Sequence, residues 1–168
     1  FLVHLDSACT VITGAGSNDT QKAIEFSKTA KKVGVDALLH VTPYYNKPTP
    51  DGLVAHFKAI ADAVDLPIIV YNVPGRTGLN LKAETTLRIV KEIPQVVGIK
   101  EASGDLNQMM EIIKGAPESF SVLSGDDSLT LPLMVLGGTG CISVVSNEVP
   151  KEFSEMVSAV LEGNWKKA

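Results

Sequence analysis

Cysteine is scarce: Cys9 and Cys141 are the only two in 168 residues, and they stand too far apart to form a metal-spaced pair. A disulfide framework and a cysteine-based zinc site are therefore not expected, and reduced thiols in the cytoplasm are the simple reading. No apolar run approaches the roughly 18 residues of a membrane span. No basic block exists either; with 15 Lys and Arg against 19 Asp and Glu the net charge is −4, which argues against nucleic acid or an anionic membrane as the main partner. Walker, His-Glu-x-x-His and Gly-x-Ser-x-Gly signatures are all missing, so phosphoryl transfer, zinc hydrolysis and serine hydrolysis lose their usual marks. Low-complexity tracts and linkers are absent too, so residues 1–168 read as one domain. The first residue is Phe1 rather than Met, and Phe1-Leu2-Val3 is too short for a signal-peptide core, so the chain is expected to be a piece of a longer one.

What is present is a rhythm. Short apolar runs at Thr10–Thr13, Ala37–Thr42, Pro67–Asn72, Val96–Glu101, Ser121–Ser124 and Cys141–Val145 begin roughly 20 to 30 residues apart, the spacing of βα units. Between them lie amphipathic stretches. One is capped by Asp19 or Thr20, one is opened by Pro50-Asp51-Gly52, and others run Lys82–Glu92, Leu106–Lys114, Ser128–Leu136 and Pro150–Leu161. Such a series makes either an open doubly wound sheet or part of a (β/α)8 TIM barrel. Gly14-Ala15-Gly16 begins a dinucleotide fingerprint that fails where Asp19 replaces the third glycine, and Gly137-Gly138-Thr139-Gly140 precedes a strand as an αβ connection. The barrel is preferred; a complete one takes about 250 residues, so about six of its eight units are expected here.

The polar residues gather at the C-terminal ends of these strands, where a barrel keeps its active site. Lys100 is the anomaly, a lysine near the end of an otherwise apolar strand. Alternation puts Val96, Gly98, Lys100 and Ala102 on one face and Val97, Ile99 and Glu101 on the other, with Gly98 expected to leave a gap beside the lysine. A lysine at a strand end also snorkels to water; one that is enclosed loses proton affinity and becomes an amine able to attack a carbonyl. Tyr71 and Arg76 follow the preceding strand, offering a proton-moving phenol and a carboxylate-binding guanidinium. Taken singly, Tyr71 also reads as a core aromatic and Arg76 as a turn residue. Asp126-Asp127 read as caps of the next helix, His4, His40 and His56 as structural, and Met109-Met110 and Phe57 as helical core positions.

In combination and in order, Thr42-Pro43-Tyr44-Tyr45-Asn46-Lys47-Pro48, Tyr71-Asn72-Val73-Pro74 with Arg76-Thr77-Gly78, Gly98-Ile99-Lys100-Glu101-Ala102 and Ser124-Gly125-Asp126-Asp127 resemble the dihydrodipicolinate synthase (4-hydroxy-tetrahydrodipicolinate synthase) family. The resemblance runs from about Thr10 to the C-terminus. It implies a class I aldolase-type TIM barrel, a lyase that condenses pyruvate with aspartate 4-semialdehyde on the diaminopimelate route to lysine. Lys100 is implied to form the Schiff base, with Tyr71 as its proton relay. Arg76 is implied to bind the semialdehyde carboxylate, and Gly125 and Ile142 to line the pocket. Tyr45 matches a tyrosine lent by a neighbouring subunit, implying a homodimer or homotetramer. No cofactor or metal is implied. N-acetylneuraminate lyase and sugar-acid aldolases share the Tyr and Lys strands, and Arg76 is what separates them from the synthase; a non-catalytic fragment that keeps the rim without turnover is the alternative outside enzymology.

Two departures accompany the resemblance. Residues 1 to 9 do not resemble the family's first strands, whose Gly-Thr-Thr-Gly-Glu-type loop has no counterpart, and the helices that follow the barrel are absent. Two open sheet edges and little or no synthase activity from the isolated chain are expected on that basis. Gly16, Asn18 and Tyr44 match an effector site for lysine, but Lys22 stands where regulated members carry an acid, so weak or absent lysine inhibition is expected.

Overall fold

The structure, a computed structural model, describes residues 9–168. The readings of Phe1–Val3, of His4 and of most of the unmatched stretch 1–9 fall outside the described residues. Six parallel strands, β1 (Ile12–Gly14), β2 (Ala37–Val41), β3 (Ile68–Asn72), β4 (Val96–Glu101), β5 (Ser121–Ser124) and β6 (Gly140–Cys141), form one sheet in the order β1-β2-β3-β4-β5-β6. Sequential order without reversal is the topology of a barrel; a doubly wound sheet reverses at a switch point. Among the described residues β1 pairs only with β2, and β6 only with β5.

The connections are α1 (Thr20–Lys32), α2 (Pro50–Ala63), α3 (Pro74–Thr77), α4 (Ala83–Glu92), α5 (Leu106–Gly115), α6 (Thr130–Val135) and finally α7 (Pro150–Leu161). Their starts are written in local chemistry. Asp19 accepts from the Lys22 N–H at 3.0 Å, Thr49 from Gly52 ahead of a proline-led first turn, and Asp105 from Asn107 and Gln108, caps worth about 1 kcal/mol each. Leu38, Ile68, Val70, Val96, Ile99 and Val122 of the strands pack against Phe57, Ile60, Ile89, Met109, Ile112 and Leu133 of the helices, all buried. This one apolar layer fixes the sheet and leaves its opposite face for chemistry.

Several expectations change. Val97 is skipped where Ile68 pairs Val96 and Ile69 pairs Gly98, an irregularity that leaves Val97 40% exposed and carries Val96 into the core shared by Ile99 instead of the face of Lys100. Gly98 leaves no gap, because a Cβ there would lie 2.9 Å from the Ser121 carbonyl oxygen. The sixth strand ends at Cys141, and Val145–Asn147 forms a 3-10 turn: the Asp127 carboxylate takes the N–H groups of Val144 and Val145. The first strand begins at Ile12, not Thr10. Ser128–Leu136 divides into a 3-10 turn over Asp127–Leu129 followed by α6. Met110 is exposed while Met109 is fully buried. Helix α3 was invisible to periodicity; four residues are too few, and Gly78 closes it in the left-handed region at φ 71°.

His40 of β2 and His56 of α2 lie buried where α1 and α2 cover the sheet. Ser27 Oγ donates to the Ala23 carbonyl at 2.6 Å, so its contact of 3.1 Å with His40 Nε2 has the imidazole as donor. Burial, reinforced by His56, pushes the pKa of His40 down to about 4. Burial likewise lowers His56 to about 4 against the opposing pull of Asp19. Because the unfolded chain takes up these protons near pH 6.5 and the folded chain does not, the stability they contribute is complete above about pH 6.5 and is lost as pH falls towards 4. The free energy of unfolding measured in urea is predicted to fall between pH 7 and pH 5 by about 2 kcal/mol per histidine, and His56→Leu to flatten that fall; an equally steep profile in the variant would contradict the assignment.

Candidate active site

Strands β3 and β4 place Tyr71 and Lys100 as register partners on the face opposite the helices. Lys100 is 9% exposed, and its Nζ lies 4.3 Å from the centroid of the Tyr71 ring. The stem passes over Gly125, just beyond β5, where a Cβ would come within 3.0 Å of Lys100 Cε and 3.1 Å of Cγ. The space assigned to Gly98 by alternation is thus supplied by Gly125. Burial lowers the pKa of Lys100, with Arg76 adding to the fall and Cys141 and Asp127 opposing it. An amine held this way releases its proton more readily than an ordinary lysine and so meets the first requirement of a carbonyl nucleophile.

Arg76 projects from α3, exposed, beside a cavity of about 440 Å³ whose lining includes Gly16, Tyr44, Tyr71, Arg76 and Thr77. Tyr71 therefore touches both the lysine and the cavity. Asn18 ties this mouth together: its amide donates to the Tyr44 carbonyl at 3.1 Å, and its own carbonyl accepts from Asn46 at 3.0 Å. Gly16 is required where a Cβ would lie 2.8 Å from the Val41 nitrogen. Tyr45 does not join the cavity lining; it is 88% exposed, with φ 72° in a region that non-glycine residues seldom occupy. Lys22 is exposed in the first turn of α1. Gly125 and Ile142 continue the ladder past the strand ends, donating to the carbonyls of Glu101 at 2.8 Å and Ser124 at 2.9 Å.

Some of the site escaped sequence reasoning. Asp126 does cap the turn that follows, accepting from Ser128, but the Asp127 side chain does not cap it: its carboxylate binds the Val144 and Val145 amides of the segment after β6. Burial pulls its pKa up, and the hydrogen bonds from Ser143, Val145 and Val144 outweigh that and hold it below the usual carboxylate range. Its anion therefore persists beside Lys100 and Cys141, whose thiol is pushed up mainly by burial. The Gly-Asp-Asp string after a strand was the available signal; nothing in it distinguishes the two carboxylates. Among the described residues no three His, Cys, Asp or Glu side chains cluster as a metal site.

The family question is decided by comparison. The Dihydrodipicolinate synthetase family profile matches residues 4–168. The chain belongs to the dihydrodipicolinate synthetase family. It is 56% identical over 158 residues to the 4-hydroxy-tetrahydrodipicolinate synthase of Maridesulfovibrio salexigens, covering 94% of this chain and 54% of the relative. The crystal structure of the chloride-inhibited dihydrodipicolinate synthase from Acinetobacter baumannii complexed with pyruvate matches with a TM-score of 0.92 at 48% identity, over 96% of this chain and 55% of that one. The synthase from Cyanidioschyzon merolae with lysine bound gives a TM-score of 0.89 at 46% identity, over 95% and 55%. This chain spans about half the length of the relatives it matches, with the parallel α/β architecture of their TIM barrels.

Asp127→Asn removes an anion that favours the charged lysine, so the pKa of Lys100 should fall further, with more amine modified by a small acylating reagent at pH 8 to 9. An unchanged or raised Lys100 pKa would contradict the electrostatic arrangement.

Proposed function

We propose that the whole protein is a 4-hydroxy-tetrahydrodipicolinate synthase, condensing pyruvate with L-aspartate 4-semialdehyde, and that Lys100 is its Schiff-base lysine. The observation that carries this reading is the buried Lys100 amine over the Tyr71 ring, with its pKa lowered. In its neutral form the amine adds to the pyruvate ketone; water leaves, and the resulting iminium draws electrons from the methyl carbon. Loss of a methyl proton gives an enamine, whose carbon attacks the aldehyde to form the new C–C bond. In this reading Tyr71, which touches both the lysine and the cavity, carries these protons, and Arg76 at the cavity wall pairs with the semialdehyde carboxylate.

Gly125, just beyond β5, leaves room for the lysine stem, and Ile142 holds the corresponding position beyond β6; neither lines the cavity beside Arg76, so a pocket-lining role for them is a claim on the lysine's own surroundings. Tyr45, unpacked within its own chain, is offered to a second subunit in a homodimer or homotetramer; monomers in sedimentation of the whole protein would remove that role. Gly16, Asn18 and Tyr44 converge around the mouth as an effector site would require, and the relative from Cyanidioschyzon merolae binds lysine. Lys22 faces that assignment with like charge against an effector amine. A cytoplasmic location fits a biosynthetic role, and no helix among the described residues is long and apolar enough to cross a membrane. The relatives named synthases favour this reading over the sugar-acid aldolase alternative.

Pyruvate with borohydride should fix a reduced three-carbon adduct on Lys100, located by peptide mass mapping, and Lys100→Arg should abolish it. Adduct on other lysines alone, or none, would refute the Schiff-base role. In the same whole protein, millimolar lysine should leave the condensation rate largely unchanged; strong inhibition would refute the Lys22 argument.

A further inference from the structure

Only two formally charged side chains are buried among the described residues, and they are neighbours: Lys100 and Glu101. Alternation sends them to opposite faces of β4. Glu101 is wholly buried on the helix side, and among the described residues no cation pairs with it. Its carboxylate is held by amides. Both oxygens accept from Asn72 Nδ2 at 3.1 Å, Oε1 from the Ser103 N–H at 2.7 Å, and Oε2 from Gln108 Nε2 at 3.1 Å. A buried anion without a counter-cation is costly to keep unless its hydrogen bonds are complete.

The partners are the informative part. Asn72 follows Tyr71 on β3 just as Glu101 follows Lys100 on β4, and the two pairs stand in register. Asn72 Oδ1 also accepts from the Leu81 N–H at 2.9 Å, and its Nδ2 reaches Asn80 Oδ1 at 2.8 Å, which fastens the end of the segment that begins with α3 and Arg76. Asn80 in turn donates to Gln108 Oε1 at 2.9 Å, closing the network on α5. Every amide has its oxygen committed: Asn72 to Leu81, Gln108 to Asn80. None can flip to offer Glu101 an acceptor without breaking another bond.

We propose that Glu101 is a positioning residue for the inner face: its carboxylate, by clamping Asn72 and Gln108, sets the mutual placement of Lys100, Tyr71 and the Arg76 segment. This rests on the Schiff-base reading of Lys100. The mechanism is geometric. Glu101→Gln replaces one acceptor oxygen with a donor aimed at donors, so the β3 and β4 ends must separate or rotate, and the inner-face pair moves with them. Displacements of about 1 Å at a reacting pair cost up to about a hundredfold in rate.

The test measures the limiting rate and half-saturation of pyruvate–borohydride trapping at Lys100, together with the Lys100 pKa, in the full chain. Glu101→Gln should retain its circular dichroism but trap about tenfold more slowly, with half-saturation moving less than the limiting rate and the Lys100 pKa rising towards that of a free lysine. Adding Gln108→Glu, which returns a carboxylate opposite an amide, should recover part of the rate. If Glu101→Gln does not fold, Gln108→Leu at the edge of the network carries the same test with about a threefold loss. Wild-type trapping and pKa in a folded variant, or a loss that only follows the folded fraction, overturns the proposal. Failure of the unsubstituted protein to trap overturns the Schiff-base reading instead, and the positioning claim is then decided by whether the pKa moves.

Discussion

The structure depends on taking one ammonium group out of water. Lys100 reaches its place because Val96 and Ile99 of its strand are anchored in the apolar layer on the helix side, because Gly125 has no Cβ to obstruct the stem, and because the Tyr71 ring covers its end. Two influences oppose each other there. Desolvation favours the neutral amine, while the negative face of the ring, Asp127 and Cys141 favour the cation. Desolvation prevails, with Arg76 on its side. The resulting amine is less basic than a surface lysine, and the Asp127 anion beside it would stabilise an iminium once one forms.

Holding that balance requires rigidity behind it. The apolar layer between sheet and helices supplies the bulk, and the Asn72, Glu101, Gln108 and Asn80 network supplies direction. Hydrophobic packing is tolerant of small shifts, whereas a closed set of donors and acceptors is not. The division of labour follows the two faces of β4: hydrogen bonds on one side fix where the lysine on the other side points. Asp127 performs a comparable service at the next strand junction, joining the end of β5 to the segment after β6.

Much of this was legible from the sequence. Spacing and apolar runs gave the parallel βα order, with β4, β5 and α7 at their expected bounds, and motif order pointed to the family; of the residues it singled out, Tyr71 lies against Lys100 and shares a cavity wall with Arg76. What escaped was set by contacts between distant segments. The irregularity at Val97 depends on pairing with Ile68 and Ile69, the end of β6 on Asp127, and the left-handed backbone of Tyr45 on a loop held by Thr77 and Asn18. Gly98 and Gly125 show the limit most clearly: both are glycines near the lysine, and only the neighbouring strand decides which one makes room for it. The sequence assigned Glu101 a face of β4 but no partners, because these lie up to 29 residues away.

Titration of the Lys100 amine itself is the most direct test, using labelled methyl groups on the lysines and assignment by Lys100→Arg. The account predicts a Lys100 resonance titrating clearly below the value of about 10.4 usual for a free lysine, while the exposed lysines titrate near it. A Lys100 resonance that titrates with the exposed ones would contradict the central claim.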